Sequence, residues 1–222
     1  VEYSIGYPGN CCRYRVWESH AWKHICYGAQ SMNSVRFYDA VIPCFYEEDT
    51  FPFYEKAEPY FVYTGPQIPK KFIKIACEAA KAAGVSLKVI GHGDEKLVTY
   101  GEFLGALSNK ERNEVVAKSS GMFCPTIYLE PFNQVAVEAQ LSGVPVICTD
   151  QGGFTETVDE TMSGRRCALF REFVRAITDV QAFSREMIRE RAHRLYGMDA
   201  ARVAYTDYLE RLSTIHTKGW YE

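Results

Sequence analysis

From Tyr60 onward the chain switches between two hydrophobic periods. Short runs of consecutive apolar residues, "YFVYTG" (60–65), "SLKVIG" (86–91), "GMFCPT" (121–126) and "VPVICTD" (144–150), predict strands buried on both faces. "VTYGEFLG" (98–105) predicts a weaker strand interrupted at Gly101, and "GRRCAL" (164–169) a last one. Between these runs the period lengthens. In "PKKFIKIACEAAKAAG" (69–84), Ile73, Cys77 and Ala80 share a helical face, and Gly84 is a stop signal. "SNKERNEVVAKSS" (108–120) opens on Ser108 with Glu111 three residues later, a capping box. "NQVAVEAQLSG" (133–143) predicts a further helix, and "GGFTETV" a short one. Strand and helix alternate in units of roughly 25 to 30 residues, the mark of βαβ crossovers. The expected class is α/β, a Rossmann-like parallel sheet with helices on both faces. "FREFVRAITDV", "SREMIRERAHRLYG" and "DAARVAYTDYLERLSTI" predict a helical C-terminal tail, with Asp199 as N-cap of its last helix.

The first 59 residues lack this alternation and are rich in aromatics, Gly, Pro and Cys. "IPCFYEEDTFPFYEKAEPY" (42–60) reads as an acidic linker with three prolines. The expected organisation is a separate N-terminal segment over 1–45, a linker over 46–59 and the layered domain with its helices over 60–222. The chain begins on Val1 and is expected to be a piece of a longer one.

Composition narrows the function. Lys and Arg total 25 against 28 Asp and Glu, a net charge of -3, so a nucleic-acid partner held by bulk charge is not expected. Eight cysteines include no CxxC pair, which argues against a zinc site. Cys124 and Cys148 sit in buried-strand runs and read as reduced core thiols of a cytoplasmic protein. No apolar run reaches the ~20 residues that span a bilayer.

Ligands of doubly wound sheets bind at the carboxyl ends of the strands, where helix N-termini present free N–H groups. Four stretches fall there: Gly65 to Lys71, "GHG" (91–93), "LEPFNQ" (129–134) and "DQGGFTE" (150–156). Glu130 follows a strand and precedes a helix, and Pro131 pre-sets helix entry. The amides of Phe132, Asn133, Gln134 and Val135 are then partly unpaired and able to donate to a phosphate. Glu138 stands in the second turn among small apolar residues. It is either a helix-edge acid in water, which spacing alone favours, or a buried carboxylate satisfied by two vicinal ribose hydroxyls. Lys71 is either a solvated lysine beside Lys70 or a cation for a diphosphate. Gly91 and Gly93 flank His92 in a turn that lets backbone approach a base or sugar, or is only a turn. Gly152-Gly153 resembles a phosphate-cradling loop, and His20 with His24 has a metal-like spacing without an HExxH pattern.

Together these pieces resemble the C-terminal domain of retaining GT-B glycosyltransferases of the GT4 type. The family pattern of two acids eight positions apart, a small-residue helix, a Gly-x-Pro-Val strand and a GG-x-x-E loop stands here as "EPFNQVAVEAQLSGVPVICTDQGGFTE" (130–156). "FLGALSNKER" and "YTGPQIPKKF" also occupy family positions, and "GYPGNCCRYRVWESHAWKH" looks like the tail of the family's N-terminal, acceptor domain. The resemblance implies transfer of a sugar from a nucleotide-sugar donor, such as a UDP- or GDP-sugar, with retention of configuration and neither metal nor further cofactor. The acceptor would be a glycan, lipid or small molecule, with room for peripheral membrane association of the parent. It implies that Glu138 holds the ribose, that Glu130 touches the transferred sugar in the catalytic site, and that Lys71, Gly65, Gly91, Gly93 and the amides of 132–135 surround the donor. The catalytic groups facing the sugar come largely from the N-terminal domain, so the chain alone is expected to be inactive. Three positions depart from the pattern. Pro66 replaces an arginine, Phe72 replaces the glycine after the lysine, and Asn133 stands where glycine is common. Loss of one charged hydrogen bond, about 1.5–3 kcal/mol, predicts donor affinity lowered tenfold or more.

Overall fold

The computed structural model describes residues 1–30 and 36–215, without the side chain of Lys70. Residues 31–35, within the expected N-terminal segment, and 216–222, the end of the expected 60–222 unit, lie outside the described residues.

Six strands form one all-parallel sheet: β4 (Tyr60–Thr64), β5 (Ser86–Ile90), β6 (Glu102–Gly105), β7 (Gly121–Cys124), β8 (Val146–Thr149) and β9 (Gly164–Cys167). Their spatial order is β6-β5-β4-β7-β8-β9. The chain therefore winds outward from β4 in one direction and from β7 in the other, which puts a topological switch point between those two strands. The apolar runs are continuous because both faces are covered. Phe61, Tyr63, Phe123 and Ile147 pack on one face under α2 (Ile73–Ala83) and α6 (Phe170–Asp179). Val62, Met122, Cys124, Val146 and Cys148 pack on the other, against residues of α3 (Asn109–Lys118), α4 (Gln134–Leu141) and α5 (Phe154–Thr157). The period of two along each strand sends alternate side chains to opposite cores. All eight cysteines are free thiols, with Cys124 and Cys148 buried as expected.

Several boundaries differ from expectation for local reasons. The helix expected from residue 69 begins at Ile73, because Pro69–Lys71 forms a 3-10 turn and Phe72 then takes the left-handed conformation (φ 53°). The strand around Gly101 begins only after it. A Cβ at Gly101 would meet the Leu87 carbonyl oxygen at 2.6 Å, so this glycine lets two backbones close together. Asp199 is not an N-cap. Helix α8 (Met198–Ser213) starts from Gly197, and Asp199 sits in its first turn paired to Arg202. The Ser108–Glu111 capping box is present at α3.

The N-terminal residues build a second, three-stranded parallel sheet, with β1 (Glu2–Ile5), β2 (Arg15–Trp17) and β3 (Ala40–Val41) in that spatial order. Among the described residues it does not pair with the larger sheet. Its centre holds a buried ion pair, Arg15–Asp39 at 2.7 Å, to which Tyr27 and Trp17 also donate. Those extra donors offset part of the desolvation that a buried pair costs. Helix α1 (His20–Ala29) follows β2. On the side of the C-terminal helices this sheet is tied to the rest of the chain. Tyr208 of α8 packs on Val16 and Ile42, and the segment after β3 is stitched to α7 (Arg185–Tyr196) by Tyr46 N–H to Tyr196 O (2.9 Å) and Arg189 Nη1 to Phe51 O (3.0 Å).

Candidate functional site: the cleft at the switch point

The loop after β4 and the loop after β7 leave the sheet side by side. The first carries Lys71 in its 3-10 turn and the second carries Glu130. Their side chains meet across the switch point, with Lys71 Nζ 2.5 Å from Glu130 Oε1. Tyr128 donates its hydroxyl to the same oxygen at 2.6 Å, and the ammonium lies 5.1 Å from the Tyr128 ring centre. Glu130 is only 4% exposed, so an ionised form there needs these partners. Burial works against the Lys71 ammonium, but the hydrogen bond and charge of Glu130 outweigh it and raise the group above its ordinary range. Burial, then the Glu130 hydrogen bond, raise the Tyr128 phenol, which keeps it a neutral donor.

The Glu130 loop is braced from behind. Gly153 donates its amide to Glu130 O at 2.8 Å, and a Cβ at Gly153 would sit 2.6 Å from Pro131 O. Gln151 Nε2 reaches the carbonyls of Thr126 and Tyr128. The Gly152-Gly153 pair thus serves close backbone packing, and the Gly153 amide is spent on protein. Asn133 then starts α4 with φ 68°, and its side chain accepts from the Ala136 amide at 3.1 Å. The left-handed cap explains why glycine suits this position and why asparagine replaces it: Asn tolerates that conformation and supplies its own cap. Phe132 is buried against Tyr196 and contributes backbone rather than side chain to the site. The amides of Phe132, Asn133, Gln134 and Val135 donate to no protein acceptor among the described residues.

These groups line one cleft of about 390 Å³, together with Ser4, Gly6, Tyr7 and Glu18 of the N-terminal segment. The two parts are fastened beside it. Glu156 accepts from the His20 and Ala21 amides at 2.9 and 2.7 Å, and Ser19 Oγ donates to Pro131 O. So the glutamate of the GG-x-x-E loop caps a helix of the other sheet.

Not every expected residue lines this cleft. Glu138 stands one turn further along α4, where Arg112 Nη2 of α3 pairs with its Oε2 at 2.9 Å. Burial raises its carboxyl and Arg112 opposes that rise. Gly65, Gly91 and Gly93 form a loop cluster of their own. A Cβ at Gly91 would lie 2.1 Å from Gly65 O, and one at Gly93 would lie 2.6 Å from Gln67 O, so "GHG" is a close backbone contact with the β4 loop. His20 and His24 have ring centres 6.1 Å apart and, among the described residues, join no cluster of metal-ligating groups. Sequence reasoning missed Tyr128, Arg112 and Glu18. Arg112 was visible within the capping-box helix, but nothing in its spacing pointed across to Glu138.

Comparison with known proteins agrees with this geometry. A probable sucrose-phosphate synthase of Thermosipho melanesiensis is 28% identical over 121 residues, 52% of this chain and 29% of that protein. Among solved structures, AviGT4, a glycosyltransferase involved in avilamycin A biosynthesis, superposes with a TM-score of 0.75 at 21% identity, covering 89% of this chain and 62% of that one. HepE of Anabaena, solved with UDP and glucose, gives 0.73 at 17% identity, with 88% and 62% covered. The sucrose-phosphate synthase of Thermosynechococcus elongatus gives 0.75 at 19% identity, with 91% and 59% covered. The chain thus spans less than two thirds of the length of each. Residues 58–189, more than half of the chain and including both loops of the switch point, match one family throughout, and the chain belongs to it: Glycosyl transferases group 1.

Proposed function

We propose that this chain is the donor-binding half of a nucleotide-sugar-dependent glycosyltransferase that retains configuration. The observation that carries the reading is the Lys71–Glu130 pair across the switch point, beside four unpaired amides at the start of α4. A donor diphosphate accepts from those amides and from the Lys71 ammonium hydrogen that Glu130 and Tyr128 leave over. The developing charge of the leaving group then meets Lys71 and the helix N-terminus, a role that in other enzymes falls to a metal ion. Glu130, held by Lys71 and Tyr128, keeps acceptor capacity for a hydroxyl of the transferred sugar. Glu138 keeps Oε1 for the ribose, with Arg112 on Oε2. HepE, of the same fold, was solved with UDP, which supports a nucleoside diphosphate as the ligand. The acceptor, a glycan, lipid or small molecule, enters from the side of the N-terminal segment. Residues 1–45 are then the remnant of the acceptor domain and 46–59 its linker.

A second reading, a nucleotide-binding module without catalysis, draws on Pro66 and Phe72, which remove a cation and place a bulky residue in a left-handed position. A thermal-shift screen of UDP, GDP and ADP and their sugars tests binding, because a ligand of the native state raises Tm by mass action. Stabilisation by a diphosphate well beyond its nucleoside supports the donor site, and no stabilisation by any of them removes it. Turnover of a bound nucleotide sugar by the full-length parent separates the first reading from the second.

A further inference from the structure

We infer that Glu18 reads hydroxyl groups on a neutral sugar ring seated in the cleft opposite Glu130. The inference rests on the donor-site reading above and adds to it a residue from the other wall.

Three observations converge on this wall. The first is in the backbone. Strand β1 is irregular between Glu2 and Ile5, and Ser4 has φ 51°, a left-handed conformation that a non-glycine residue rarely takes. Gly6 N–H turns back to Ser4 O at 3.1 Å. Pairing resumes beyond the irregularity, with Ile5 opposite Trp17, and Ser4 and Gly6 on either side of Ile5 reach the cleft. The second is in the packing. A Cβ at Gly6 would lie 2.3 Å from Glu18 Oε2, so the missing side chain is the space the carboxylate occupies. The third is in the chemistry of Glu18 itself. It is half-buried at the end of β2, its Oε1 accepts from the Cys44 thiol at 3.2 Å, and it forms no ion pair among the described residues. Its Oε2 accepts no hydrogen bond from them. Burial raises the carboxyl, with the thiol opposing.

A half-buried carboxylate with an open oxygen calls for donors. The ligand that fits must be polarised along the cleft. Lys71 and the α4 amides suit its anionic end, whereas Glu18 would repel a phosphate placed against it. The part that faces Glu18 is therefore uncharged and rich in hydroxyls. Two sources share that chemistry: the sugar carried by the donor, and an acceptor bound beside the diphosphate.

The test uses the 222-residue chain. Kd is measured by calorimetry for UDP, GDP and ADP, for hexose conjugates of whichever binds best, and for methyl hexosides added at saturating diphosphate. The variants are Glu18→Gln, which keeps shape and removes charge, and Gly6→Ala, which keeps the charge and drives the carboxylate from its place. Both should bind the bare diphosphate within about twofold of wild type. If the donor's sugar is read, both should lose about tenfold for the conjugate. If an acceptor is read, both should lose about tenfold for the hexoside while the conjugate is unaffected. Diphosphate binding with no effect of either variant on any sugar overturns the inference and leaves the donor site standing. Equal losses for bare diphosphate and sugar ligands also overturn it, because they mark Glu18 as a purely structural residue. A wild type that binds none of the diphosphates overturns the donor reading, and this one with it.

Discussion

The two ends of the six-stranded sheet are built on opposite principles. At the amino ends of the strands lies the larger cavity, about 890 Å³, bordered by Pro59, Ser120, Pro145 and Arg185. At the carboxyl ends lies the smaller cleft of about 390 Å³ with Lys71 and Glu130. Size would favour the first, but its one cation, Arg185, is already used among the described residues. Arg185 donates to Tyr54 O at 2.9 Å, to Ser119 O at 2.8 Å and to Ala117 O, so one guanidinium closes the chain before β4 onto the end of α3. At the carboxyl ends the opposite holds: among the described residues four amides are left unpaired, and the cation keeps a spare hydrogen. A site is recognised by unspent hydrogen-bonding capacity more than by volume. Parallel topology dictates which end that is, because every helix that follows a strand begins at the carboxyl edge.

The largest expected effect separates the two ends by stability. Arg185→Met should cost about 2–4 kcal/mol, because three carbonyls lose a charged donor that packing cannot replace. Chemical denaturation would report this as a lower midpoint with an unchanged slope. Ligand affinity measured well below the new Tm should stay at the wild-type value. A variant that folds normally but loses diphosphate binding would place the site at the amino edge and reverse the comparison.

Lys71→Ala comes next and should act on both stability and binding. It leaves the nearly buried Glu130 with Tyr128 as its remaining side-chain donor, at a cost of about 2–3 kcal/mol in stability. It should also weaken a nucleoside diphosphate by about ten- to hundredfold while changing the matching nucleoside little, since only the former carries the charge. The folded Lys71 pKa is raised. Its stabilisation is therefore fully present below the unfolded value and lost only as pH rises through the folded one, so the contrast should hold from about pH 6 to 9. Equal loss for nucleoside and diphosphate would show that Lys71 serves the fold alone. Pro66→Arg should act in reverse and strengthen the diphosphate.

Much of this contrast was legible in the sequence, and the limits are instructive. The apolar runs located the four inner strands of the larger sheet, because burial on both faces leaves few polar residues to blur a run, whereas the edge strands β6 and β9 carry charged residues and gave weaker signals. Glu130 and Lys71 were legible as separate candidates on the ligand edge. Their mutual pairing was not, because 59 residues separate them and local pattern carries no long-range register. The start of α2 was misplaced for a related reason: Phe72 gives no sign, in side-chain type, of its left-handed backbone. The role of Glu156 was also hidden. Its partners, the His20 and Ala21 amides, belong to the other sheet, and backbone donors have no sequence signature.

Glu138→Gln should be smaller, about tenfold in affinity for a ribonucleoside diphosphate, and without effect on a 2′,3′-dideoxy analogue. Equal losses for both ligands would assign Glu138 to its ion pair with Arg112 and to the fold.

The smallest effect is a pH slope that belongs to the same acid. Burial raises the folded Glu138 carboxyl above its unfolded value, against the opposing charge of Arg112. Between those two values the native state holds more proton than the unfolded chain, so stability falls as pH rises through that window and is level above it. Arg112→Met removes the opposing cation, so the folded value should climb further. The decline should then extend to higher pH and end at a lower plateau than in the wild type. Melting curves from about pH 4 to 8 on both proteins would show it as a widening gap in Tm. Glu138→Gln in the Arg112→Met background should abolish the extra slope, because no titrating group is left. If the double variant keeps the slope, the group that titrates is another acid, and the pairing at the second turn of α4 is not what holds Glu138 ionised for a ribose.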